Sequence, residues 1–251
     1  METDTNKESG PKAVYDHITG EMSRRQRSII RSGGMAGLLT AFCFILAAAV
    51  LLGGSIYDDP KEMVDNFPQY KAYMAVGDVL YLVTVLALFV LVISLYHTLR
   101  RQKPLLSLVG AGIGSIGLAA LAVGSLPYVA YSEISDLYQD PAISPDEQAS
   151  LVHLWQAVHG IFNEIDTVGF MLLAVGFIML SLAMRSSPDF AHKAGCAGVI
   201  LGIIMLFGMS IFTMDSDSIF PFVLLAFIVL PVLYGSNLLL MSRRMGPEVV
   251  G

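Results

Sequence analysis

Six long apolar stretches, separated by shorter polar segments, dominate the pattern of hydrophobic and polar positions along the chain. Each is close to the roughly 20 residues that a helix needs to cross a hydrocarbon layer about 30 Å thick. Lipid offers no partners to unpaired backbone groups, so each stretch is predicted to be an α-helix. The pattern therefore predicts an all-α fold, a six-helix transmembrane bundle over residues 34–242. The predicted spans are residues 34–54, 76–98, 105–128, 161–184, 193–213 and 218–241.

The polar segments at the two ends of the chain are predicted to lie outside the membrane. Residues 1–33 include an amphipathic helix at 11–32 with a basic face, which suits the surface of an anionic membrane. Residues 243–251 form a short tail. The first apolar run starts too late and is too long for a cleaved signal peptide, so it is expected to stay as an anchor.

A second amphipathic helix is predicted at residues 144–159, before the fourth span. Ser144 suits the residue that caps a helix, and Glu147, three positions later, completes a capping box. Pro145 between them suits the first helical position. The single tryptophan, Trp155, is expected to anchor this helix at the membrane surface.

The distribution of charge predicts how the bundle is oriented. Of the 15 Lys and Arg residues, all but Lys61 and Lys71 fall on one side of the six predicted spans. By the positive-inside rule that side is cytoplasmic, so both termini are expected in the cytoplasm and the protein in the cell membrane. Charged residues make up 14% of the chain and hydrophobic residues 55%, which excludes an ordinary soluble domain. Nucleic-acid binding is not expected, because no basic stripe lies away from the spans.

Spans two and three resemble spans four and five, which suggests a doubled hairpin. Three residue pairs repeat at one constant offset: Asp78 with Asp166, Gly110 with Gly198, and Gly114 with Gly202. Glycines four residues apart let neighbouring helix backbones approach closely in a membrane. The two hairpins would be related by an axis along the membrane normal, as in parallel repeats. The alternative is that glycine is simply common in membrane helices.

The stretch GDVLYLVTVLALFVLVISLYHTLRRQKPLLSLVGAGIG resembles an uncharacterised prokaryotic family of six-span membrane proteins, known only as a domain of unknown function. The later GIFNEIDTVGFMLLAVGFIMLSLAMRSSPDFAHKAGCAGVILG is similar to the second half of the same family. The resemblance covers roughly residues 25–240. It implies the six-span fold and supplies no activity.

A polar rim at the outer membrane edge is the candidate site. Its residues are Asp78, His159, Asn163 and Asp166. The last three follow the spacing of one helix face, and Asp78 would face them if the hairpins pack together. Asp215 and Asp217 are expected at the same level. Such a rim suits a divalent cation or a cationic headgroup; the alternative is a solvated edge with local hydrogen bonds. Whether a metal binds is unknown from the sequence.

The function that these observations favour is a non-enzymatic accessory or ligand- and lipid-binding membrane module. No catalytic residue is assigned, and no cofactor is expected. The centres of the predicted spans lack Asp, Glu, Lys and Arg, which argues against a deep proton relay. Two alternatives stay open: a small-solute transporter or channel, and an outer-face membrane metal hydrolase. The expected partners are membrane lipids and a partner subunit or a second copy of the chain.

Overall fold

The computed structural model describes residues 11–54, 59–188, 190, 192–212 and 220–244. Within these residues all regular secondary structure is helical, and six helices are long and apolar enough to cross a membrane. The predictions of an all-α fold and of six candidate spans are therefore confirmed. The helices are α1 (Pro11–Gly54), α2 (Pro60–Leu99), α3 (Pro104–Gly124), α4 (Pro127–Tyr138), α5 (Pro145–Arg185), α6 (His192–Phe212) and α7 (Phe220–Arg244).

Local sequence signals start several of these helices. Proline occupies the first turn of α2, α3, α4 and α5, where its missing N–H costs nothing and its fixed φ suits the helix. The Asp59 side chain accepts a hydrogen bond from the Lys61 N–H and so caps α2. At α5 the predicted capping box is confirmed, with Ser144 and Glu147 each bonding the other's backbone N–H.

Helices α2 and α5 are too long for a bilayer. They contain 40 and 41 residues, which at 1.5 Å per residue is about 60 Å, roughly twice the thickness of the hydrocarbon core. Their N-terminal parts, residues 60–75 and 145–160, pack with α4 into a structure that we call the helical head. The sequence interpretation placed the second span from residue 76 onward and did not foresee that its helix begins at Pro60.

The six long helices form a closed ring. Helix α1 packs between α2 and α7, and α5 packs between α3 and α6; contacts of α2 with α3 and of α6 with α7 complete the ring. We call the end that carries the helical head the head end. The opposite end, which carries the basic turn between α2 and α3 and the C-terminus of α7, is the basic end.

Glycine allows the closest helix approaches in the bundle. A Cβ atom added to Gly117 of α3 would lie 2.7 Å from the backbone O of Gly169 in α5. A Cβ on Gly37 of α1 would lie 2.5 Å from the carbonyl O of Pro231 in α7. No L side chain fits at such distances, so these interfaces require glycine.

The doubled hairpin stays a prediction. Gly110 and Gly198, which occupy matching positions in the suggested repeat, both lie against α5. Gly110 belongs to the first suggested hairpin and α5 to the second, so this contact joins the two hairpins. Gly198 and α5 both belong to the second hairpin, so that contact lies within one hairpin. The glycines therefore explain how α3 and α6 both pack closely against α5. This close packing does not test the repeat.

Candidate functional site

The helical head has a core of its own, separate from the core of the membrane bundle. Its buried members are Val64, Phe67, Tyr131, Ile134, Tyr138 and Trp155. The Trp155 ring stacks on Tyr131 with centroids 4.2 Å apart, and Phe67 meets its edge at 5.2 Å. Trp155 is only 3% exposed, so the prediction of a membrane-surface anchor is wrong. The aromatic partners that bury it come from α2 and α4, which the pattern of one helix cannot reveal.

Polar contacts tie α4 to the α2 part of the head. Lys71 of α2 forms an ion pair with Asp136 of α4 at 3.0 Å. The Gln139 amide, just after α4, donates to the backbone carbonyl of Asp65 in α2 at 3.3 Å. The head is therefore a small three-helix unit held on the rigid extensions of two spanning helices.

Asp78 lies where the head meets the membrane bundle. Its carboxyl group lies near the backbone N–H of Tyr128, in the first turn of α4, which favours its charged form. The residue before α4, Leu126, provides no side-chain cap. Asp78 therefore lies at the start of α4 although it belongs to a different helix, and a carboxylate is well suited to the positive end of the helix dipole.

Asp166 of α5 lies on the other side of the same junction. The Tyr81 hydroxyl donates to its Oδ1 at 3.5 Å. A Cβ atom on Gly124, the last residue of α3, would collide with the Asp166 carboxyl group. The break between α3 and α4 thus leaves room for Asp166 at Gly124 and places the Tyr128 backbone N–H near Asp78. The Asp78 and Asp166 carboxyl groups are close enough to interact electrostatically.

The other two predicted rim residues have different surroundings. His159 is exposed, and its Nδ1 lies 3.0 Å from the Tyr131 hydroxyl. Tyr131 is itself part of the aromatic core of the head. Asn163 is also exposed, and within the described part of the chain its side chain has no hydrogen bond. The structure therefore brings Asp78 and Asp166 together, joins His159 to Tyr131 by a hydrogen bond, and leaves Asn163 exposed.

The electrostatic character of the pair is acidic. Among the described residues, no Lys or Arg forms an ion pair with Asp78 or Asp166, and Oδ2 of Asp78 is buried without a hydrogen-bond partner. Over the same residues, no three His, Cys, Asp or Glu side chains are grouped closely enough to hold a metal ion. Asp215 and Asp217, predicted at this level, lie outside the described residues.

Sequence reasoning missed the tyrosines and the glycine that complete this junction. Tyr81 follows Asp78 by three positions, so helical spacing already places the two on one face. Gly124 and Pro127 together signal the end of one helix and the start of another. For Tyr131 no local signal exists, because its role depends on how α4 folds back over α2 and α5.

The six apolar helices and the closed ring they form define a helical multi-pass membrane protein. Residues 33–241 match the family described as domain of unknown function DUF4386, and the chain belongs to this family. The resemblance found in the sequence is thereby confirmed. No curated protein and no solved structure matches the chain.

Proposed function

We propose that the protein is a non-enzymatic binding module of the cell membrane, with both termini in the cytoplasm and the helical head outside. Its ligand is an organic cation, either a small amine or the ammonium group of a lipid, held between Asp78 and Asp166. The orientation rests on the bias of Lys and Arg toward the basic end. The ligand class rests on one observation: two neighbouring carboxyl groups that no described Lys or Arg neutralises.

Two like charges that interact in a partly buried site repel each other, and a cation between them relieves that repulsion. The surroundings favour an organic cation. Ammonium groups form charge-assisted hydrogen bonds with carboxylates and are also attracted to the faces of aromatic rings. Tyr81 lies against Asp166, and Tyr131 lies near both acids. The aromatic core of the head is directly continuous with Tyr131.

Trp155 provides the test, because it is the single tryptophan and stacks on Tyr131. The full chain, purified in detergent, would be titrated with ethanolamine and with choline while tryptophan fluorescence is recorded. We expect a saturable change. Asp166→Asn should weaken the apparent affinity by about tenfold or more, since hydrogen bonds to charged groups contribute about 1.5–3 kcal/mol.

The matched control is Glu133→Gln on α4, because Glu133 is an exposed acid of the head and, among the described residues, forms no hydrogen bond or ion pair with the residues around Asp78 and Asp166. It should leave the isotherm unchanged. Identical isotherms for wild type and an Asp78→Asn, Asp166→Asn double variant would contradict the cation site. Conversion of either amine to a product by reconstituted protein would contradict the non-enzymatic assignment.

A further inference from the structure

A groove opens at the basic end, on the opposite side of the membrane bundle from the carboxyl pair. It has a volume of about 650 Å³ and lies at the turn between α2 and α3. Its lining residues are Tyr96, Arg100, Arg101, Pro104, Leu105 and Leu108. Because it lies far along α2 from Asp78, it is independent of the function proposed above.

The charged side chains that line the groove are both cationic. Arg100 and Arg101 are exposed, and Lys103 lies next to them in the same turn. Residues 79–132, which include the adjoining parts of α2 and all of α3, contain no Asp or Glu. No described acidic side chain forms an ion pair with either arginine. The groove therefore presents positive charge that its own walls do not neutralise.

The start of α3 adds to this positive potential. Pro104 is its first residue, and Lys103 before it makes no side-chain capping bond. The first N–H groups of the helix and the positive end of its dipole therefore face the same turn as the two arginines. This feature supports an anion in the groove but would not by itself define a site.

The other wall of the groove is apolar and faces away from the bundle. Leu105 is 73% exposed and Leu108 is 57% exposed, and they lie one turn apart at the start of a spanning helix. Two exposed leucines and two arginines line the same groove. This combination suits a ligand with a charged head and a hydrocarbon tail. A free anion would leave this apolar wall unused.

We propose that the groove binds one anionic phospholipid of the adjacent leaflet. Its phosphate lies at the Arg100 and Arg101 guanidinium groups, and one acyl chain lies along Leu105 and Leu108. Basic pockets between spanning helices are suited to anionic headgroups, and arginine binds phosphate oxygens in a bidentate manner.

The test uses the full chain, delipidated in detergent and supplied with phosphatidylglycerol or phosphatidylcholine, with bound lipids counted by native mass spectrometry. We expect preferential retention of one phosphatidylglycerol. An Arg100→Gln, Arg101→Gln variant should lower its apparent affinity by about tenfold or more, on the scale of two interfacial charges. The matched control is Arg243→Gln, Arg244→Gln, which removes two exposed arginines at the same end, outside the groove.

A second variant separates the groove from general charge attraction. Leu108→Trp keeps every charge and fills the apolar wall, so it should also reduce phosphatidylglycerol retention. Equal losses in the two arginine variants, or no loss with Leu108→Trp, would show that surface charge alone attracts the lipid and would overturn the site. Equal retention of phosphatidylcholine and phosphatidylglycerol would overturn it as well, as would full displacement by inorganic phosphate.

Discussion

The membrane bundle and the helical head share two long helices, α2 and α5, yet they are held together differently. In the bundle, α3 and α5 meet through glycines whose backbones almost touch. In the head, α2, α4 and α5 meet through large aromatic rings and an ion pair. Lipid gives no hydrophobic drive for helix association, so close van der Waals packing must supply it. Outside the bilayer, burial of rings such as Trp155 from water becomes the main stabilising term.

The largest expected effect is on the head. Trp155→Ala removes a ring that is 3% exposed and should destabilise the head by about 3–5 kcal/mol. We expect limited proteolysis of detergent-solubilised protein to cut near α4 while the spanning helices stay intact. Leu154→Ala is the matched control on the same helix, because Leu154 is 48% exposed. Loss of the whole bundle with Trp155→Ala would contradict the separation into two cores.

An intermediate effect is expected in the bundle. Gly117→Ala places a methyl group 2.7 Å from backbone atoms of α5 and should lower the free energy of unfolding by about 1–3 kcal/mol. Gly112→Ala is the control, since its added Cβ would meet nothing within 4 Å. Thermal unfolding in detergent, followed by circular dichroism, distinguishes the two. Equal melting temperatures for both variants would mean that α3 and α5 do not pack as closely as described.

The smallest expected effect is at the ion pair of the head. Lys71→Ala should cost about 0.2–1 kcal/mol, because Lys71 and Asp136 are both partly solvated. The loss should shrink at high salt, whereas the effect of Trp155→Ala should not. Urea unfolding of the head at low and high sodium chloride, monitored by Trp155 fluorescence, measures both. If Lys71→Ala lowers the stability of the head equally at low and high salt, packing of the lysine hydrocarbon stem, and not its charge, stabilises the head.

The head is the part of the fold that sequence reasoning recovered least. Its α5 portion was predicted because Ser144 and Glu147 are a strong local start signal. Its α2 portion was missed, although Asp59 and Pro60 form a comparable signal. Pro68 lies inside that stretch, and an internal proline normally argues against a helix. Tertiary packing of Phe67 against Trp155 outweighs that local penalty.

The candidate site stays a prediction, but the structure shows how its four residues are placed. Asp78 and Asp166 were expected to face each other, and the structure places them close enough to interact. The same reasoning grouped Asn163 with them, because it considered only the face of one straight helix. The structure leaves Asn163 exposed, so it does not lie between the two acids.

The sequence by itself determined the six apolar helices and the strong bias of Lys and Arg to one side, because each depends on local composition and on the thickness of a bilayer. Only the tertiary structure decided that Asp78 lies at the start of α4, that Gly124 makes room for Asp166, and that Trp155 is buried. Those outcomes depend on contacts between segments far apart in the chain. Neither helical periodicity nor hydropathy carries information about which distant residue will lie opposite.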